Sequence, residues 1–274
     1  MMPSLMQNRI DSRFATLKAN NQGALVTYIT AGDPNLQATH DLALAFDKAG
    51  VDVLEFGVPF SDPLADGIVN QMSAQRALEA GTTPEGVLQM VRNIRKSSEI
   101  PIVLYTYLNP MYCYGYEKFH KDAAAAGVDG LLILDLPPDE AERNADLAQA
   151  SGLAHIQLIA PTTPDSRIPK IVRHGSGFIY YVSREGVTGE RETIADSVEN
   201  RVATIKSQTS LPVVVGFGIS SPEHVAQIVK ISDGAVVGSA IVKRIQKTAE
   251  NPALNLAEEI AGFVAPLANA AHGA

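Results

Sequence analysis

The segment "AGVDVLEFGVP" (residues 49–59) has a close echo later in the chain, "AGVDGLLILDLP" (126–137). Both segments are apolar almost throughout and lack the strict alternation of a half-exposed strand. Continuous apolar runs of this kind are typical of parallel strands that are covered on both faces. Six further runs have the same character, so the sequence predicts eight strands, at residues 24–30, 51–57, 101–108, 128–136, 154–160, 177–183, 211–218 and 233–239.

Helical patterns fill the intervals between these runs. One begins with an N-cap and a first-turn proline, Thr83 and Pro84, and another ends on Gly50. A strand–helix unit repeated eight times predicts an α/β fold, the (β/α)8 or TIM barrel, with extra helices at 10–20 and 254–269. No linker divides the chain, so we expect residues 1–274 to form a single domain.

The composition excludes several classes of function. The chain has 274 residues, a formal net charge of −8 and no run of Lys and Arg, so we expect no nucleic-acid partner. The one cysteine, Cys113, excludes an internal disulfide and fits a reducing compartment, which we expect to be the cytoplasm. No apolar segment suits a signal peptide or a membrane-spanning helix, so we expect no membrane association.

Three glycine-rich turns follow the last three predicted strands: "SREGVTG" (183–189), "GFGIS" (216–220) and "GSA" (238–240). Glycines let the backbone approach a ligand closely, and a helix N-terminus stabilises an anion. Turn geometry explains any one of these clusters, but the three together favour a ligand. Phosphate-binding barrels use the loops after strands seven and eight, so the sequence predicts a phosphate site that needs no lysine.

Acidic residues lie at the end of predicted strand two. Glu55 is flanked by apolar residues, so we expect burial to raise its pKa. Asp62 and Asp66 follow in the next loop, where we expect solvation or hydrogen bonds to keep them ionised. A raised acid and an ionised acid in one site form a candidate acid/base pair. Structural roles stay open here: Glu55 could cap a loop or pair with an arginine, and either aspartate could only organise a turn.

Other polar and charged residues give weaker indications of function. Asp33 and Asp135 also end strands before prolines and could be catalytic or structural. The six histidines lack the spacing of a zinc site, so we expect no metal. No lysine ends a predicted strand, which argues against a Schiff-base aldolase. Carbon–carbon cleavage in this barrel would therefore need acid/base chemistry.

Seven segments, in order along the chain, resemble those of one family, the α subunit of tryptophan synthase. The longest is "LEFGVPFSDPLADG" (54–67), and the others are "TYITAGDP" (27–34), "YTYLNPMYCYG" (105–115), "LILDLPPDE" (132–140), "GVTG" (186–189), "VVGFGIS" (214–220) and "VVGSAIV" (236–242). The resemblance implies a lyase of tryptophan biosynthesis that cleaves indole-3-glycerol phosphate to indole and glyceraldehyde 3-phosphate. It also implies that the chain uses neither a metal nor a cofactor.

The same resemblance implies roles for individual residues. Glu55 is the acid/base group that handles the proton at indole C3 and the proton of the glycerol hydroxyl. Asp66 is the second catalytic acid and hydrogen-bonds the indole N–H. The implied substrate-binding residues are Tyr28, Tyr107 and Tyr180 in the pocket, Thr188 against Asp66 when its loop closes, and Gly189, Gly218, Gly238 and Ser239 at the phosphate.

A moving loop and a partner are implied as well. Loop 183–195 is expected to be mobile when empty and to close over substrate, and its Glu185 departs from the small or hydroxyl residues common in the family. The implied partner is a PLP-dependent β subunit in an α2β2 heterotetramer, contacted through mouth loops that include 109–115. PLP is expected only on that partner.

Three alternative functions stay open at this point. Another phosphosugar barrel, such as an isomerase or epimerase, would share the phosphate loops but not Glu55 and Asp66 at this spacing. A barrel that only activates a partner would not need the two acids. A lyase could also release indole without any β subunit.

Overall fold

The computed structural model describes residues 8–137, 140–183, 191–216, 218–251 and 253–273. Its strands are β1 (Ala24–Thr30), β2 (Val53–Gly57), β3 (Ile102–Thr106), β4 (Gly130–Ile133), β5 (Ala154–Ile159), β6 (Ile179–Val182), β7 (Val213–Gly216) and β8 (Gly234–Val237). Its helices are α1 (Arg9–Ala19), α2 (Leu36–Lys48), α3 (Ile68–Glu79), α4 (Pro84–Ile94), α5 (Leu108–Tyr114), α6 (Tyr116–Ala126), α7 (Ala141–Ser151), α8 (Ile168–Val172), α9 (Arg191–Lys206), α10 (Pro222–Val229), α11 (Ser239–Ala249) and α12 (Leu256–His272).

The eight strands form a closed parallel barrel in sequence order, with β1 paired to both β2 and β8. The predicted (β/α)8 barrel is confirmed, and so are its extra helices, which are α1 and α12. Most strands are shorter than predicted, because the apolar runs extend into buried turns. Val51 and Asp52, for example, are buried before β2 begins at Val53.

Apolar side chains form two cores, one on each side of the strands. The outer core lies between the barrel and its helices and includes the fully buried Phe46, Phe56 and Phe119. The inner core fills the barrel, and α1 closes it at the N-terminal ends of the strands with side chains that join the same cluster: Ile10, Phe14 and Leu17. The barrel is therefore closed at one end and accessible at the other.

A repeated aspartate explains why the two echoing segments share the letters "AGVD". Asp52 precedes β2 and accepts a hydrogen bond from the Leu25 N–H of β1 at 2.7 Å. Asp129 precedes β4 and accepts one from the Ile102 N–H of β3 at 2.8 Å. Each carboxylate also pairs with arginine, Asp52 with Arg13 and Asp129 with Arg9 and Arg95. The repeated segment therefore marks an aspartate that recurs before β2 and β4 and hydrogen-bonds the preceding strand.

The helix boundaries follow the sequence signals. Thr83 caps α4 by accepting a hydrogen bond from the Gly86 N–H, and Pro84 is the first residue of the helix. Gly50, just after α2, has a φ of +89°, in the left-handed region that favours glycine. Within the part of the chain that the structure describes, no helix is long and apolar enough to cross a membrane.

Candidate active site

A cavity of about 670 Å³ opens at the C-terminal ends of the strands. Active sites of (β/α)8 enzymes lie at this end of the barrel. The lining contains seven of the ten predicted site residues: Tyr28, Glu55, Asp66, Tyr180, Gly218, Gly238 and Ser239. The fold thus brings both predicted acids and most predicted binding residues to one space.

The floor of the cavity is an inward-facing layer of strand residues. Side chains two positions apart on a strand share a face, so Tyr28 stands one layer above Val26 and Glu55 one layer above Val53. The register of β1 and β2 places Tyr28 beside Glu55. An aromatic ring and a carboxyl group therefore lie side by side at the bottom of the cavity.

Two glycines make room for two tyrosine rings at this level. A Cβ on Gly57 would lie 2.3 Å from the Tyr28 hydroxyl oxygen, and a Cβ on Gly216 would lie 2.4 Å from the Tyr180 hydroxyl oxygen. Both distances are too short for non-bonded atoms. Each ring leans across the end of the neighbouring strand, and only glycine leaves the space that it needs.

Glu55 is fully buried, and neither carboxyl oxygen has a hydrogen-bond partner among the residues of the described ranges. Burial raises the pKa of Glu55 to about 8. The carboxyl group is therefore protonated at neutral pH and can give a proton to a bound ligand. This geometry is neither that of a loop cap nor that of an arginine partner.

Asp66 has hydrogen-bond donors on both carboxyl oxygens. The Tyr107 hydroxyl donates to Oδ2 at 2.8 Å, and the Tyr105 hydroxyl donates to Oδ1 at 3.2 Å. Asn70 Nδ2 lies 3.5 Å from Oδ1. Burial raises the pKa of Asp66, and the hydrogen bonds from these three side chains oppose that rise. The hydrogen bonds expected at Asp66 are present, whereas burial acts against its ionised form.

The loop between β2 and α3 is fixed by side chains of its neighbours. The Tyr107 hydroxyl accepts a hydrogen bond from the Ala65 N–H at 3.0 Å while it donates to Asp66, and Tyr107 itself does not line the cavity. Gln71 Nε2 donates to the Asp66 carbonyl at 2.8 Å. Asp62 is exposed, and its carbonyl accepts the Leu64 N–H, as expected of a turn residue.

The other two strand-end acids have structural partners. Arg76 of α3 donates to both Asp33 carboxyl oxygens, at 2.9 and 2.6 Å. Asp135 Oδ1 accepts the Leu108 N–H at 2.7 Å, at the start of α5. Neither residue lines the cavity. Both acids therefore support the loops that surround the site.

Gly218, Gly238 and Ser239 meet where the chain leaves β7 and β8. Gly218 has a φ of +70°, a conformation that favours glycine. Gly238 is the N-cap of α11, so the first N–H groups of that helix have no partner within it. No Lys, Arg or His is found in the described lining, which leaves backbone amides and hydroxyl groups as donors for an anion.

Part of the predicted mobile loop is not described. Thr188, Gly189 and Glu185 all lie in residues 184–190, outside the described ranges. Helix α9 begins at Arg191, so the last five residues of the predicted loop 183–195 are helical.

The sequence patterns do not single out two polar residues of the site, Tyr105 and Asn70. Tyr105 stands two residues before Tyr107, and the alternation of β3 places it in the inward layer above Val103. The two-residue period of β3 is therefore a sequence signal that identifies Tyr105 as an inward-facing residue. Asn70 lies four residues after Asp66, beyond a loop whose conformation strand and helix patterns do not specify.

Comparisons with known proteins identify the family and match the fold. The sequence profile of the family described as "Tryptophan synthase alpha chain" matches residues 14–272. A tryptophan synthase alpha chain of Citrifermentans bemidjiense is 48% identical over 260 residues, 95% of this chain and 96% of the relative. The solved structure of tryptophan synthase subunit alpha from Legionella pneumophila has a TM-score of 0.90 and 38% identity, covering 98% of this chain and 100% of that chain. The chain belongs to the tryptophan synthase alpha chain family.

Proposed function

We propose that this chain carries out the alpha reaction of tryptophan synthase with Glu55 and Asp66 as its catalytic acids. The reaction is the retro-aldol cleavage of indole-3-glycerol phosphate to indole and glyceraldehyde 3-phosphate. The observation that carries the assignment is a single cavity with a protonated, unpaired carboxyl group and a hydrogen-bonded second one. These groups can supply the proton and the negative charge that the cleavage requires.

Glu55 makes indole a leaving group. Its proton goes to C3 of the ring, which becomes an indoleninium cation and leaves Glu55 ionised. Glu55 then takes the proton of the glycerol hydroxyl on the adjacent carbon. The electron pair of that O–H bond forms the aldehyde carbonyl, while the pair of the breaking C–C bond restores the aromatic ring. One residue therefore acts first as acid and then as base.

Asp66 stabilises the cationic ring through its N–H. A carboxylate can accept about four hydrogen bonds, so the donors from Tyr105, Tyr107 and Asn70 leave capacity for the indole N–H. Those neutral donors also hold the carboxylate in one orientation. A fixed acceptor at the place where positive charge develops lowers the barrier without reorganisation.

The phosphate end of the substrate anchors the reacting carbons between the two acids. Gly218, Gly238 and Ser239 offer backbone amides and a hydroxyl group for it. By the family resemblance we assign Gly189 to the phosphate as well, and Thr188 to contact with Asp66 when its loop closes. Tyr28 and Tyr180 border the space left for the indole ring, while Tyr107 acts through Asp66. An anchored substrate reacts as if within one molecule, which lowers the entropic cost of the reaction.

We propose further that the chain needs no cofactor of its own and works in the cytoplasm beside a PLP-dependent β subunit, in an α2β2 assembly. Large apolar side chains are exposed around the cavity mouth, on the β2–α3 loop, on α3 and on α5: Leu64, Ile68, Met72 and Tyr112. Exposed apolar surface of this kind marks interaction sites. A partner seated there could receive indole directly.

An indole-release assay on the purified chain, with and without the β subunit, tests the proposal. We expect Glu55→Gln to lower the rate by about 10²–10⁴-fold, the usual effect of removing an acid/base group, and Asp66→Asn to behave similarly. Binding of a glycerol phosphate analogue is expected to stay within about tenfold of wild type. The control is Asp62→Asn, an exposed turn residue whose loss is expected to leave turnover unchanged.

Near-wild-type turnover in either acid variant would contradict its catalytic assignment. A wild-type chain that interconverts a phosphosugar but releases no indole would support the isomerase alternative. Equal rates with and without the β subunit would support a lyase that works alone.

A further inference from the structure

Asn70 is a polar residue of the cavity that neither proton-transfer step uses. It lies in the first turn of α3, where its carbonyl accepts a hydrogen bond from the Ser73 hydroxyl at 2.9 Å. The Ser73 hydroxyl in turn contacts the Thr30 hydroxyl of β1. The turn that carries Asn70 is therefore fixed to the barrel wall.

The two ends of the Asn70 amide have different surroundings. Nδ2 lies 3.5 Å from Asp66 Oδ1. Oδ1 is buried and has no hydrogen-bond donor in the described ranges. Because an ionised carboxylate only accepts hydrogen bonds, the amide nitrogen is the atom that can face it favourably.

Among the described residues that line the cavity, the groups around Asp66 carry no positive charge. Those that donate to it or act on its charge come from five elements or their ends, β1, β2, β3, β6 and α3: Tyr28, Glu55, Tyr105, Tyr107, Tyr180 and Asn70. With no Lys, Arg or His in the described lining, neutral donors must offset the burial of the carboxylate. The loss of one donor is therefore not compensated by a cation.

We propose that Asn70 is a positioning residue, whose amide orients the Asp66 carboxylate and favours its ionised form, ready to accept the N–H of the substrate ring. The inference rests on the proposed role of Asp66. Tyr107 holds Oδ2 from the end of β3, whereas Asn70 and Tyr105 hold Oδ1 from α3 and β3. Asn70 thereby resists rotation of the carboxylate about its Cβ–Cγ bond.

The test uses two changes at this position and one matched control. Asn70→Leu keeps the approximate size, removes the donor and also removes the unpaired buried oxygen, so we expect the chain to fold. Asn70→Asp replaces the donor with a second acid. Gln75→Leu is the control, because it removes an exposed amide from the same helix, away from Asp66.

The readout is a titration of the Asp66 carboxyl carbon by ¹³C NMR in the folded, substrate-free chain. We expect the pKa of Asp66 to rise by about half a pH unit or more in Asn70→Leu, because a hydrogen bond to the charged form is lost. The rise is expected to be larger in Asn70→Asp, since like charges oppose ionisation, and absent in Gln75→Leu. The acid limb of the pH profile of kcat/KM for indole release is expected to move in the same order.

An Asp66 pKa that is the same in wild type and Asn70→Leu would overturn the role of Asn70. Asn70→Ala offers a second removal of the donor if the leucine variant does not fold. The titration needs no substrate, so it decides the role of Asn70 even if the wild-type chain released no indole. A wild-type chain that releases no indole would instead overturn the proposed function.

Discussion

At the scale of a single residue, the proposed role of Glu55 would link activity to stability through pH. Burial raises its pKa from 4.5 to about 8. Between those values the folded chain keeps the proton that the unfolded chain has lost. The folded state then binds more protons than the unfolded state, so the free energy of unfolding falls as pH rises through this window.

The slope of that decline is a measurable signature of Glu55. From about pH 5 to pH 8, wild type is expected to lose about 1.4 kcal/mol of unfolding free energy per pH unit more than Glu55→Gln. Urea unfolding at several pH values measures the difference, with Asp62→Asn as the control that keeps the wild-type slope. Parallel slopes in wild type and Glu55→Gln would mean that Glu55 is ionised in the folded chain.

The same proton should appear in the kinetics. Indole release by wild type is expected to decline above about pH 8 as Glu55 loses its proton.

Residues of the site differ in how far the sequence predicts them. Glu55 was identifiable because a carboxyl group inside an apolar strand run is costly to bury and therefore indicates a function. Asn70 was not, since its approach to Asp66 depends on the path of an irregular loop and on the phase of the helix that follows. Long-range contacts of this kind, such as that between Tyr107 and Asp66, leave no periodic trace in the sequence.

At the scale of elements, two strand ends shape the cavity together with a neighbouring strand, β2 with β1 and β7 with β6. The sequence predicts all eight strands, but it overestimates the lengths of most of them because burial continues where strand pairing stops. Gly216, at the end of β7, lies in a glycine-rich turn that the sequence predicts as a ligand position. Gly216 also serves a packing purpose that required the structure, namely the space for Tyr180 of β6.

Replacement of Gly216 by alanine tests that packing. The new Cβ would lie 2.4 Å from the Tyr180 hydroxyl oxygen, so the ring must shift within the cavity. We expect kcat/KM for indole release to fall by about tenfold or more, since small displacements of positioning groups cost rate. Tyr180→Phe in the same chain removes the clashing oxygen and is expected to restore part of the loss. Gly262→Ala, where a Cβ meets nothing within 4 Å, is the control, and equal kinetics in the two alanine variants would contradict the packing role of Gly216.

At the scale of the whole molecule, the closed end of the barrel provides stability and the open end provides the site. The sequence predicted α1 as an extra helix, but its amphipathic pattern did not tell which surface it covers. Its apolar face enters the inner core, where the Phe14 and Phe178 rings lie 5.7 Å apart. The recurring aspartates before β2 and β4 act at the same end, far in the fold from the cavity.

Truncation of Phe14 tests whether stability and substrate binding depend on opposite ends of the barrel. Phe14→Ala is expected to lower the free energy of unfolding by about 3–5 kcal/mol, the usual cost of removing a buried ring. The KM for substrate is expected to stay unchanged at temperatures where the variant is folded, because the cavity lies at the opposite end. Denaturant unfolding and steady-state kinetics measure both quantities. Lys18→Ala, on the exposed side of α1, is the control, and equal stability of the two variants would show that α1 does not close the core.

The lack of cationic side chains in the described lining also affects how the substrate arrives. A glycerol phosphate dianion approaches a chain whose formal net charge is −8, so long-range attraction does not guide it inward. Added salt screens repulsion, so we expect the diffusional encounter to become somewhat faster as ionic strength rises. Enzymes with basic clefts show the reverse dependence. At the proposed phosphate site we expect capture to depend on short-range complementarity between the phosphate and backbone dipoles, and therefore to tolerate a saline medium.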